Sequence, residues 1–406
     1  MHGTSESLSG GGGAAPLGAR KRNQTTTADG PPSESLAKKA VHAVEATYLS
    51  FQRPLLSLVQ QSLHPHFELP AHVVHFAIRQ EFIALAGPSV VWLYSYSAGA
   101  EISILLVTTE TINGVLKWAF RQPRPGWLRG TNMLKMRSPT WEADYSTPSS
   151  HAQLAATVAT WVVLFTNFSV IPSILAILFA VLVGVARVYS CVHWPSDVVF
   201  GWACGVLWTA FVLPILRSSM TPSHEAGFAT VLVAVLSALL YLVRTAAKEE
   251  EAHVRAEWKA AALAGYDVDK HSKAEVLKAV QKWGRGPRLF YTYAGPLSAT
   301  YGSLIGRAIL HFYFEIRRHD DDVSASASDA ASFADFVTRQ HSVPVRLLVG
   351  IAGLVPCLAF AHGLPVLLRA QPKGLLDGAC VFAGFAAVGI WVLAGCQIVF
   401  DRGMTW

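Results

Sequence analysis

Three groups of polar residues lie where apolar runs begin or end. Lys117, Arg121 and Arg124-Pro125 close one run, Pro148-Ser149-Ser150-His151 opens the next, and Arg187, His193 and Asp197 occupy the junction of two more. A phosphate monoester is close to dianionic at neutral pH, its second pKa being ~6. Holding it in a low-dielectric setting therefore takes several cations and hydrogen-bond donors. Lys117, Arg124 and Arg187 supply the charge, and at ~4 Å and an effective dielectric near 20 each pair is worth about 4 kcal/mol before desolvation. Arginine adds a planar fork that fits phosphate oxygens.

The remaining residue types suit phosphoryl transfer. Ser149 and Ser150 precede an apolar run starting at Ala152. There the free N–H groups and positive end of a helix favour an anion and bring His151 beside it. His193 stands four residues before Asp197, and Pro195 suits the first turn of the intervening helix. A carboxylate that accepts the proton on one imidazole nitrogen leaves the other free to attack phosphorus. The reading is thus His193 as nucleophile, Asp197 as its orienter, and His151 as acid to the leaving alkoxide and then base to water. Lys117, Arg124, Ser149, Ser150 and Arg187 bind the phosphate. This scheme needs no metal and no organic cofactor.

The elements that must position these groups are read from composition. The 406 residues are 52% hydrophobic and only 15% charged, with mean hydropathy +0.35, which excludes an ordinary soluble domain. The expected fold is all-α, a polytopic integral-membrane helical bundle. The formal charge of +6 is distributed between apolar runs rather than along one basic face, so membrane lipids and an anionic substrate are the expected partners and nucleic acid is not. The five cysteines lie mostly within apolar runs and read as core residues.

Along the chain, residues 1–40 are Gly-, Ser-, Thr- and Pro-rich and read as a disordered tail. Residues 41–81 mix apolar residues with Gln and with His64, His66, His72 and His75, and form an amphipathic or interfacial helical region. A metal site there lacks a completing set of carboxylates or thiols. Residues 82–243 hold about six membrane helices, near 82–96, 100–120, 152–167, 171–186, 198–216 and 228–243. Residues 244–288 are a charged helical loop, and 289–406 carry further spans and a connector.

With these residues in place, the chain resembles the type 2 phosphatidic acid phosphatase superfamily, whose signature is K-x6-R-P, P-S-G-H and S-R-x5-H-x3-D. Here it reads Lys117 to Arg124-Pro125, Pro148-Ser149-Ser150-His151, and Ala186-Arg187 to His193 to Asp197. Ala186 stands where the pattern has Ser, and Ser150 where it has Gly. The resemblance implies a helical-bundle core of that type, metal-independent hydrolysis of a lipid phosphate, and the roles given above. The Tyr145–His151 approach, the Gly295–Gly306 stretch and the C-terminal spans resemble sphingosine-1-phosphate (long-chain-base phosphate) phosphatases, which implies the endoplasmic reticulum membrane; Ser/Thr content in the tail leaves a plastid membrane as the alternative. Phosphatidate, diacylglycerol pyrophosphate or polyprenyl (di)phosphate are the alternative substrates. A vanadate-dependent haloperoxidase and a catalytically silent lipid-binding protein are the alternatives of other classes. On sidedness the readings conflict: the Lys- and Arg-rich loop 244–288 favours a cytosolic site, whereas the resemblance implies a lumenal one.

Overall fold

The computed structural model describes residues 46–128, 144–218, 220–245, 289–319, 329–367 and 375–403. The tail 1–40, most of the charged loop 244–288, part of the connector, and Arg129, Lys135, Arg137 and Trp141 lie outside the described residues. Among those described, every regular element is helical.

A π-helical turn, Tyr48–Gln52, runs directly into α1 (Arg53–Leu63), and α2 (Glu68–Ala77) follows. Then come α3 (Gln80–Leu93), α4 (Tyr96–Phe120), α5 (Ser150–Phe165), α6 (Val170–Tyr189), α7 (Pro195–Arg217) and α8 (Pro222–Thr245). The C-terminal part comprises α9 (Leu289–His319), α10 (Ala330–Arg339), α11 (Val343–Leu367), α12 (Leu375–Ile390), a π-helical turn at Trp391–Gly395 and α13 (Cys396–Gly403).

Among the described residues, five stretches are long and apolar enough to cross a membrane: Val170–Tyr189, Pro195–Arg217, Pro222–Val243, Val343–Gly363 and Ala379–Arg402. Their outer faces are apolar, with Ile171 72%, Leu207 69% and Leu348 70% exposed. Apolar surface on this scale is stable only against hydrocarbon, so the chain is an integral membrane protein. The expected spans near 82–96 and 152–167 are apolar helices too short for that length, Phe82–Leu93 and Ser150–Phe165.

Helix α4 is the hub. It packs against α3, α5, α7, α8, α9 and α10, and this enclosure lets it carry Thr108, Thr109, Thr111 and Asn113 in buried positions. Thr108 and Thr111 donate back to the carbonyls of Ile104 and Val107, each within one turn (2.7 and 2.8 Å). Near its start, Glu101 takes a two-pronged bond from Arg217 (2.7 and 2.9 Å) and the indole N–H of Trp161 (2.9 Å), stapling α4, α5 and α7. Glu101 is sixteen residues from Lys117, roughly 24 Å along the helix, so this carboxylate is structural and belongs to the opposite end of the bundle. Glu225 of α8 lies at ion-pair distance from Arg307 (2.8 Å) and His311 (3.1 Å) of α9, tying the C-terminal part to the core.

What sets the register at the site end is the approach of α7 to α5. A Cβ added at Gly201 would lie 2.8 Å from the Ser149 carbonyl oxygen, and one at Gly205 would lie 2.4 Å from that of Gln153. Two glycines four apart form a smooth groove for the α5 backbone, the small-residue packing that lets helices associate in lipid. This brings the first turn of α5 beside the first turn of α7.

The Gly205→Val variant should therefore push α5 and α7 apart, at about 1–3 kcal/mol for an overpacked contact. The expected result is a lower unfolding temperature in detergent together with reduced phosphate release; wild-type behaviour in both would show that the groove does not set the register.

Candidate functional site

The polar residues singled out in the sequence gather at one end of the bundle because their chain neighbours share one apolar cluster. Trp118, Ala152, Val188, Trp194 and Val198 belong to that cluster; they directly follow Lys117, His151, Arg187, His193 and Asp197. Each polar group is thereby carried by a buried neighbour. Leu236, Leu240 and Leu297 join the same cluster, so α8 ends and α9 begins on the site side.

Asp197 is fully buried in the first turn of α7. Its Oδ1 accepts from the Thr147 hydroxyl (2.5 Å), while Oδ2 accepts from the Ser146 hydroxyl and from the backbone N–H of Trp194 (2.9 Å). Its own carbonyl accepts from the backbone N–H of Ser149 (3.1 Å). One residue thus joins the approach to α5, the start of α5 and the start of α7. A buried carboxylate requires such donors.

His193, also fully buried, lies between this carboxylate and an arginine. Its Nδ1 is 3.6 Å from Asp197 Oδ2 and 3.4 Å from the Ser146 hydroxyl. Its Nε2 is 3.3 Å from Nη1 of Arg124. A guanidinium has only donors, so Nε2 presents its lone pair and the ring proton sits on Nδ1, toward Ser146 and Asp197.

Arg124 is itself buckled in place. Nε donates to the Asp144 carbonyl (2.6 Å), Nη1 to that of Val192 (2.9 Å) and Nη2 to that of Tyr145 (3.4 Å). Trp194 closes the same turn by donating its indole N–H to the Pro123 carbonyl (2.9 Å). The guanidinium is thus bonded to two loops at once, a structural commitment that residue types and spacing alone do not show.

Lys117 is buried in the last turn of α4, which Arg121 ends in the left-handed region (φ 48°). Ser149 caps α5, its hydroxyl accepting from the Ala152 N–H (3.5 Å); with its own N–H on Asp197, its groups serve the helix junction. Ser150 and His151 form the first turn of α5, both partly buried. Arg187, in the last turn of α6, is buried with Nη1 3.1 Å from Nδ1 of His75. Cys191, two residues from His193, has its thiol pushed up to about 12 by burial, so it stays a protonated thiol at neutral pH. Among the described residues no three His, Cys, Asp or Glu side chains are grouped to hold a metal ion.

Several contributors escaped the sequence reading. Ser146 and Thr147 were visible only as part of the Tyr145–His151 approach. Asn113 donates to Gln153 Oε1 (2.7 Å) and to the Pro148 carbonyl (3.3 Å), fixing the start of α5 against α4; a lone Asn in an apolar run was the available signal.

An all-helical membrane bundle with a buried His–Asp–Arg centre is thus what fold and site define. The family model of the PAP2 superfamily matches residues 98–220. An undecaprenyl-diphosphatase from Sulfolobus acidocaldarius is 37% identical over 149 residues, covering 34% of this chain and 69% of the relative. The chain belongs to the PAP2 superfamily and is a phosphoric monoester hydrolase. Two crystal structures also match: Aquifex aeolicus LpxE (23% identity, 41% of this chain and 96% of that one, TM-score 0.35); and a PAP2-type phosphatidylglycerolphosphate phosphatase from Bacillus subtilis (20% identity, 44% and 92%, TM-score 0.34).

Removing a donor from Asp197 should cost about 1.5–3 kcal/mol, the range for a hydrogen bond to a charged group. Thr147→Val and Ser146→Ala are expected to lower stability in detergent alike, but Ser146→Ala should reduce turnover further because that hydroxyl also faces His193 Nδ1. Equal turnover in the two variants would rule out this role for Ser146.

Proposed function

We propose that the chain hydrolyses a lipid phosphate in the membrane through a phospho-histidine at His193. The observation that carries this is the imidazole itself, buried with Nδ1 toward Ser146 and Asp197 and Nε2 toward a guanidinium. In the reaction, Nε2 attacks phosphorus as the phosphoryl oxygens take over the Arg124 N–H, and His151 gives its proton to the departing oxygen, an alkoxide from a monophosphate or a polyprenyl monophosphate from a diphosphate. Water then attacks phosphorus as His151 takes its proton, the bond to Nε2 breaks with its electron pair returning to the imidazole, and inorganic phosphate leaves. Lys117, Arg124 and Arg187, with donors from Ser150 in the first turn of α5, stabilise the charge on the transferring group; Ser149, read from the sequence as a phosphate ligand, instead caps that turn.

Among lipid phosphates, the archaeal relative's name supports a polyprenyl (di)phosphate. The sphingosine-1-phosphate reading rests on the sequence resemblance alone, and the endoplasmic-reticulum assignment depends on it. The orientation reading follows the bundle: α8 ends on the site side, and the Lys- and Arg-rich residues that follow favour a cytosolic site.

In EDTA, the purified protein should release phosphate from a panel of polyprenyl, sphingoid and glycerol lipid phosphates, with polyprenyl (di)phosphate the best. His193→Ala should abolish release, and His151→Ala enzyme given p-nitrophenyl phosphate, whose leaving group needs no acid, and quenched in alkali should accumulate phosphorus bound to His193. Full activity in His193→Ala would sink the mechanism, and a preference for sphingosine-1-phosphate would reverse the order of substrates. Bromide oxidation with added vanadate and hydrogen peroxide would instead identify a haloperoxidase.

A further inference from the structure

The region matched by the family model begins at residue 98, yet residues 48–78 hold the segment 186–196 from outside. Tyr48 stacks obliquely on Trp194 (centroids 5.1 Å apart). Gln52 Oε1 accepts from the Ser196 N–H in the first turn of α7 (3.1 Å), and Gln60 donates to the Tyr189 carbonyl at the end of α6 (2.8 Å). Ala71, Val74 and Ile78 pack with Ala180, Val183, Ala186 and Tyr189 in one apolar cluster. Ala186, which stands where the motif has Ser, is thus part of the apolar seat for α2.

That seat delivers one polar side chain to the site. His75 Nδ1 is 3.1 Å from Nη1 of Arg187, and its Nε2 is 2.6 Å from the hydroxyl of Ser190. The guanidinium cannot accept, so Nδ1 must, and the ring proton is on Nε2 and goes to Ser190. The imidazole is neutral, its tautomer set by Ser190 and its lone pair aimed at Arg187. Both partners are buried, and both lie in the turn that leads to His193.

We propose that His75 is a positioning residue for the phosphoryl-transfer site: it orients the Arg187 guanidinium toward the bound phosphoryl group from a helix outside the family core. This rests on the reading of Arg187 as a phosphate ligand. The second contact that His75 makes keeps the ring from turning, so the arginine fork presents a fixed direction. An arginine so held loses less freedom when it binds its anion than one that must first be ordered.

The test uses full-length protein in detergent micelles, with p-nitrophenyl phosphate as substrate and orthovanadate as competitive inhibitor. His75→Phe should lower kcat/KM about 10–100-fold and weaken vanadate inhibition in proportion. His75→Asn, whose Oδ1 can stand where Nδ1 accepts, should recover most of both. In an Arg187→Ala background, His75→Phe should add no further loss. Ser190→Ala leaves α2 seated and only frees the imidazole, so it should weaken vanadate about 3–10-fold; it decides the matter if His75→Phe does not fold. Unchanged vanadate inhibition in Ser190→Ala, or a full additional loss from His75→Phe in the Arg187→Ala background, overturns the proposal. Wild-type activity in Arg187→Ala would instead overturn the reading of Arg187 itself.

Discussion

The arrangement of the site depends on one buried carboxylate. Asp197 cannot stay inside the bundle without donors, and its donors come from Ser146, Thr147 and the Trp194 backbone, while its own carbonyl holds the Ser149 N–H. These contacts join two segments about fifty residues apart in sequence. They fix the ring of His193 on one side, and Arg124 fixes it on the other through Nε2. Each loop is thereby anchored by the same bonds that define the protonation of the imidazole.

Lipid as the solvent explains how the rest of the bundle supports that anchor. Association of helices in hydrocarbon has little hydrophobic drive, so it relies on close backbone packing and buried polar links. Both occur here. The Gly201–Gly205 groove sets α7 against α5, Glu101 staples three helices at the far end, and Glu225 ties α8 to α9. Helix α4 is too polar to face lipid over its length, and it is enclosed by its neighbours.

The N-terminal helices extend the same logic to the outside of the core. An apolar contact involving Ala186 seats α2, and the polar residues of α1 and α2 then reach the carbonyl, hydroxyl and guanidinium groups around the turn that carries His193. The departure from the motif at Ala186 and the presence of His75 are two aspects of one interface.

Membership of the family was legible in the sequence, because the spacings within Lys117–Pro125, within Pro148–His151 and within Arg187–Asp197 are set by local helix and turn geometry, which acts over a few residues. The all-helical membrane architecture was legible too, since burial in lipid demands long apolar runs. What the sequence did not yield were the partners made across distance: Ser146 and Thr147 on Asp197, Asn113 on Gln153, the buckling of Arg124 on three carbonyls, the commitment of Ser149 to its helix, and His75 on Arg187. Hydroxyls, amides and single histidines are common residues with no characteristic spacing, and only packing determines which of them meets a buried charge. The Gly-x-x-x-Gly step at 201–205 was present in the sequence, but its meaning depended on which helix lay against it, and that is a property of the tertiary structure.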